Sequence, residues 1–262
     1  MYPNLRKYGK PPFRVALVHG GPGAPGEMAP LARALSEDFG VLEPLQTKST
    51  LEDQVQELKE ILEKNREIPL ILVGFSWGAM LSFILTAKYP TLVKKLILIS
   101  SAVFDEKYAS AIMQTSLSRL SNDEKNKIHL LTDQLKDPDV TDKNNIFSLF
   151  ADILFKADTY DALTFPKEIL EYQYDINQSV WNDAKKLRQS GELIQLGHQI
   201  NCPVVAIHGD YDPHPSDGIK IPLASVIKNF KFILLEKCGH YPWIEKFAKN
   251  EFINIMKSEI NE

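Results

Sequence analysis

The run Leu70-Ile71-Leu72-Val73-Gly74-Phe75-Ser76-Trp77-Gly78-Ala79 decides how this chain is read. Its first four residues are bulky and apolar, as in a strand buried on both faces. From Ala79 onward Leu81, Ile84 and Leu85 recur at helical spacing, so a strand turns directly into a helix. That turn forces Ser76 into a strained backbone conformation, and glycines two residues to either side let neighbouring backbone approach. The hydroxyl is then expected above the sheet at a positive helix terminus. Gly-x-Ser-x-Gly alone is a weak motif; between a strand and a helix it marks Ser76 as a nucleophile rather than part of a glycine-rich turn.

Outward from this point, short apolar runs alternate with amphipathic helical patterns from residue 13 to about residue 100, and again from about residue 203. The runs are Phe13 to Val18, Val41 to Leu45, Leu70 to Val73, Val93 to Ile99, Val204 to Ile207 and Phe232 to Leu235. This is the α/β pattern of a parallel sheet covered by helices on both faces. Leu51, Val55, Leu58 and Leu62 form one core-facing helical stripe, and Phe247, Phe252, Ile255 and Met256 a second. Between Phe104 and Ile200 the alternation stops and consecutive helices are expected. Ser121 with Glu124 forms a capping-box pattern ahead of a helix ending near Leu135, Thr141 opens another, and Ser179 opens a third that stops at Gly191. The division is a core of residues 1–103 and 201–262 with a helical cap over 104–200. A few of the cap's aromatics, Phe104, Tyr108, Phe147, Phe150, Phe155, Tyr160, Phe165, Tyr172, Tyr174 and Trp181, should line a cavity beneath it.

Composition excludes several classes. The 262 residues, 44% of them apolar, suffice for a large core without disulfides or metal. The net charge of −4 comes from 34 acids and 30 bases without a basic run, which argues against nucleic acid. No stretch approaches about 18 consecutive apolar residues and no signal-peptide core precedes residue 13, so a soluble, cytoplasmic protein with no membrane partner is expected. Cys202 and Cys238 read as reduced structural thiols.

Three further segments complete a set for acyl transfer. His19-Gly20-Gly21-Pro22-Gly23 follows a predicted central strand, and the N–H of Gly21 pairs naturally with that of Trp77 as oxyanion donors. His19 is assigned to ordering this loop. His240, in Cys238-Gly239-His240-Tyr241-Pro242-Trp243 after the last strand, is placed to serve as base. The acid comes from His208-Gly209-Asp210-Tyr211-Asp212-Pro213: Asp212 is preferred and Asp210 competes, with Asp105 a weaker position. His208 reads as a core histidine, and His129, His198 and His214 have no motif around them. The spacing of His208, Asp210, Asp212 and His214 matches no zinc pattern, so no metal is expected.

With these residues in place the chain resembles the α/β-hydrolase superfamily over almost its whole length. The His19 to Gly23 segment is similar to that of proline iminopeptidases and their esterase relatives. The resemblance implies a parallel core with a helical cap, a Ser76, Asp212, His240 triad with the Gly21 and Trp77 amides, a small-molecule substrate and no cofactor. Two departures stand out. Only about a dozen residues precede the first strand, so the expected sheet is shortened to six strands, all parallel. Further, the acidic cap residues with which iminopeptidases hold a free amine have no recognisable motif here; Glu168, Glu171 and Asp175 are acids in the corresponding lobe. The leading expectation is hydrolysis of a small, mainly apolar ester. An aminopeptidase is the alternative, and a binding protein that has lost catalysis the third reading.

Overall fold

The computed structural model describes residues 4–65, 68–164 and 168–262. In chain order the elements are β1 (Leu5–Tyr8), β2 (Phe13–Val18), α1 (Ala29–Leu35), β3 (Gly40–Pro44), α2 (Leu51–Asn65), β4 (Leu70–Phe75), α3 (Trp77–Lys88) and β5 (Val93–Ile99). There follow α4 (Ser110–Ser118), α5 (Asn122–Lys136), α6 (Lys143–Asp158), α7 (Tyr174–Gln189) and α8 (Glu192–Gln195). The chain then returns to the sheet with β6 (Val204–Gly209), α9 (Asp217–Val226), β7 (Phe230–Leu235) and α10 (Lys249–Asn261).

The seven strands lie in the order β1-β3-β2-β4-β5-β6-β7. All neighbours are parallel except β1, which pairs antiparallel with β3 through Leu5 opposite Pro44 and Tyr8 opposite Val41. Six all-parallel strands were expected, and β1 corrects that. Its sequence Leu-Arg-Lys-Tyr is half-exposed at the sheet edge, so it has none of the continuous apolar character that betrays a buried strand. β4 is buried at every position and stands at the centre, where its apolar run required it to be. The sheet separates two apolar clusters. One packs α2, α3 and α7 against the face carrying Leu72, Leu96 and Leu98; the other packs α1 and α10 against the face carrying Val73, Ile97 and Ile207.

Helix α2 buries its expected stripe of Leu51, Val55, Leu58 and Leu62. In the last stripe Phe247 lies ahead of α10 and is 53% exposed, while Phe252 and Met256 are buried. Among the described residues of the insertion, the capping box of Ser121 and Glu124 forms as expected. Asp142 rather than Thr141 caps α6, and α7 begins at Tyr174, upstream of Ser179, because its apolar face already starts at Ile176 and the neighbouring Asn177 is buried as well. Gly191, at φ +78°, ends that helical run. No helix among the described residues is long and apolar enough to cross a membrane.

Candidate active site

Ser76 sits between β4 and α3 at φ 52°, ψ −114°, a conformation an L-residue adopts only when its surroundings enforce it. Those surroundings leave no room for side chains. A Cβ on Gly74 would lie 2.2 Å from the carbonyl oxygen of Gly78, and one on Gly78 would lie 2.3 Å from that of Val18. The glycines let β2, β4 and α3 converge beneath the serine. Ser76 is 8% exposed, and its Oγ makes no hydrogen bond among the described residues, so it remains open to the cavity above.

The loop after β2 approaches from the side. Burial lowers the pKa of His19 to about 4, so its imidazole is neutral; Nδ1–H donates to Gly20 O at 2.8 Å and Nε2 accepts the Gln46 N–H at 3.1 Å. His19 thus braces the loop, as expected of it. The insertion holds the same loop from above. Trp181 Nε1–H donates to Gly21 O at 3.1 Å, Asn177 Nδ2 to Pro22 O at 2.9 Å, Gln173 N–H to Gly23 O at 2.9 Å and Leu170 N–H to Pro25 O at 2.9 Å. The Trp181 ring also meets Trp77 edge to face, 5.4 Å between centroids. The main-chain N–H groups of Gly21 and Trp77 have no hydrogen-bond partner among the described residues.

Asp212 and His240 arrive from the loops after β6 and β7. His240 Nδ1 lies 2.8 Å from Asp212 Oδ2, and the other carboxylate oxygen accepts both the main-chain N–H of His214 at 2.9 Å and its ring Nδ1–H at 2.8 Å. His208 Nε2 is 3.7 Å from Oδ2 and donates to His214 O at 2.8 Å. Burial alone would raise the Asp212 carboxyl, but His240, His208 and His214 outweigh it and hold the group well below the usual carboxylate value. Burial likewise opposes a charged His240, yet Asp212, with help from Asp158 and Glu27, leaves its pKa above that of an ordinary histidine. Asp210 makes a different contact, accepting the Cys238 N–H at 3.1 Å to tie the two loops together. Asp105 stands apart, capping a short turn through the Lys107 N–H.

Ser76 and His240 open onto a cavity of about 190 Å³. Of the aromatics expected there, Phe147, Phe150, Phe155 and Tyr172 form walls, while Phe165 falls outside the described residues. Three carboxylates also face the cavity: Glu27, Asp158 and Glu168. Glu168 pairs with Arg33, and Asp158 accepts from Ser116 Oγ at 2.7 Å. Glu27 accepts the Gly20 N–H at 3.1 Å, and burial pushes its carboxyl up to about 7 against the opposing pull of His240 and that N–H. Glu171 and Asp175 are exposed.

Glu27, Asp158 and His214 were not singled out by the sequence. The available signal was local for His214 alone: Asp-Pro-His after a strand allows an Asx turn in which the aspartate accepts from the second residue on. The ligand atoms of Asp212, His214 and His240 lie within 4.8 Å of one another, a grouping that suits a metal ion. The two imidazole–carboxylate hydrogen bonds account for that convergence by themselves. Cys202 and Cys238 are free thiols whose burial raises them, Cys202 to about 11, so neither supplies a thiolate.

Residues 22–247 match the family model of the alpha/beta hydrolase fold. No curated protein sequence matches the chain significantly. Among solved structures, an alpha/beta fold family hydrolase from Bacillus anthracis str. Sterne is similar at 15% identity, with 97% of this chain and 94% of that chain covered and a TM-score of 0.67. The enol-lactonase from Burkholderia xenovorans LB400 is 14% identical over 98% of this chain and 96% of its own, with a TM-score of 0.64. The meta-cleavage product hydrolase from Pseudomonas fluorescens IP01 is 17% identical over 98% and 93%, again with a TM-score of 0.64.

Proposed function

We propose that this chain, which belongs to the alpha/beta hydrolase fold family, is a serine hydrolase that cleaves a small, mainly apolar carboxylic ester through an acyl-serine intermediate. The observation that carries the reading is that His240, hydrogen-bonded to the buried Asp212, lines the same cavity as a serine held at φ 52°. Ser76 Oγ attacks the ester carbon while His240 Nε2 takes its proton, and Nδ1–H stays on Asp212. The negative charge that develops on the carbonyl oxygen is met by the N–H groups of Gly21 and Trp77. His240 returns the proton to the leaving alcohol, then draws one from water as the hydroxide adds to the acyl-serine. As the bond to Oγ breaks, His240 passes that proton to Ser76 Oγ, releasing the acid and restoring the free serine and neutral imidazole.

In this reading the helical segment of 104–200 acts as a cap. Its aromatic walls and the small cavity favour a short apolar acyl group. The test is turnover of p-nitrophenyl esters of graded acyl length, together with fluorophosphonate labelling of Ser76. Wild type should turn over short esters and take the label, and Ser76→Ala should do neither. Full turnover by Ser76→Ala would overturn the serine mechanism; an unlabelled wild type would favour a binding protein that keeps the fold.

A second reading draws on Glu27 and Asp158. Two carboxylates beside an acyl-transfer site suit a substrate whose acyl group bears a free amine, as in removal of an N-terminal residue. Cleavage of proline or alanine arylamides would support it, and inertness towards every free-amine arylamide would remove it.

A further inference from the structure

His214 lies outside every motif of the site, yet it touches both members of the Asp212–His240 pair. Its main-chain N–H and its ring Nδ1–H both end on Asp212 Oδ1, so that oxygen is fully occupied and Oδ2 is left to His240. Its carbonyl is held in turn by His208 Nε2 at 2.8 Å, which fixes the turn through Pro213. The ring stacks on the His240 imidazole at 4.8 Å between centroids, 22° from parallel. Phe75, at 4.9 Å, and Tyr241, at 5.1 Å, also flank that imidazole.

We propose that His214 is a positioning residue for the acyl-transfer reaction: it locks the Asp212 carboxylate through Oδ1, the oxygen that His240 does not use, and its ring, stacked on the His240 imidazole, holds that imidazole in line with Asp212. The inference rests on the serine-hydrolase reading above. A carboxylate held by one imidazole alone can rotate or share its charge differently; here Oδ1 has two donors, and rotation would break both. The charge that Asp212 offers His240 is therefore shared with a second imidazole. Other charged and titratable groups facing this centre are His208 from β6, Asp158 from α6, Glu27 from the loop after β2 and Tyr241 beside His240. None of these places a ring N–H on Oδ1.

The test separates the donor from the ring and needs no identified substrate. The second-order rate of Ser76 labelling by a fluorophosphonate is followed across pH for wild type, His214→Ala, His214→Phe and His214→Asn, with thermal unfolding measured alongside. Phenylalanine keeps a ring without the donor, and asparagine supplies an N–H near the position of Nδ1 without the ring. The expected result is labelling slowed about tenfold in the Ala and Phe variants. Their acid limb should rise by roughly half a pH unit, since Asp212 then concentrates its charge on His240. His214→Asn should restore most of the rate and return the limb towards wild type. Ala and Phe variants that label like wild type, with an unmoved acid limb, would overturn the proposal. So would an equal loss in all three variants that follows their melting temperatures. A wild type that labels no faster than Ser76→Ala would instead remove the serine-hydrolase reading.

Discussion

The indole N–H of Trp181 donates to the carbonyl of Gly21 at 3.1 Å, joining a helix of the insertion to the loop that follows the second strand. The same indole rests edge-on against Trp77, so a single side chain touches both residues whose N–H groups are proposed to face the oxyanion. Trp181→Phe keeps an aromatic ring against Trp77 and removes only the donor. We expect ester turnover to fall about three- to tenfold through kcat, with KM nearly constant, because one neutral hydrogen bond contributes about 1 kcal/mol. An unchanged kcat would show that Gly21 is held without it.

The two competing acids of the loop after β6 are separable by substitution. Asp212→Asn should lower kcat by about four orders of magnitude, since the amide no longer fixes the required tautomer of His240 or offsets its charge. Asp210→Asn should leave most of the activity and reduce stability by about 1 kcal/mol, because only the hydrogen bond from Cys238 N–H is weakened. The reverse pattern in kinetics would exchange their roles.

Glu27 makes stability depend on pH in a definite direction. Its folded pKa of about 7 exceeds the ordinary 4.5, so the native state holds the proton more tightly than the unfolded chain does. This contribution is full below about pH 4.5 and lost as pH rises through 7. Glu27→Gln removes the dependence. It should match wild type near pH 4.5 and exceed it at pH 8 by on the order of 1–3 kcal/mol in denaturant titration. Equal stability of the two proteins at pH 8 would contradict this.

With His240 as the proposed base, its ionisation sets the acid limb of the reaction. Its pKa lies above the ordinary 6.5, and only the neutral imidazole can accept the serine proton, so kcat/KM should fall as pH drops through a midpoint above 6.5. A pH–rate profile with constant substrate checks this, and a midpoint below 6.5 would mean that burial prevails over Asp212.

Two glycines give opposite expectations for the same substitution. Gly78→Ala would place a methyl group 2.3 Å from backbone that cannot retreat, so no folded protein should be recovered. Gly191→Ala meets nothing within 4 Å and bears only the strain of φ +78°, about 1 kcal/mol, read as a small drop in melting temperature.

How much of this was legible beforehand follows from what each residue must do. β4 and the other buried strands were visible because burial on both faces demands an unbroken apolar run. β1 was hidden because an edge strand with solvent on one side does not. Ser76, Gly21, Asp212 and His240, the residues of the proposed site, stood out in the sequence because they follow strand ends with glycine or proline beside them, where special backbone geometry writes itself into sequence. Glu27 and Asp158 were not, since one lies in a loop and the other at a helix end, and only the closing of the insertion over the sheet brings them to one cavity. Their acidity looks no different in sequence from that of Glu171 or Asp175, which remain exposed.

The insertion between β5 and β6 also imposes a timetable. During synthesis the segment carrying Ser76 emerges with β4 and β5, while Asp212 and His240 follow well over a hundred residues later, next to the two strands that finish the sheet edge. Through that interval the serine is an ordinary alcohol. On the proposed assignment its reactivity begins only when β6 and β7 have docked, so a chain stalled or cleaved anywhere before them is chemically inert, however well its first half has folded.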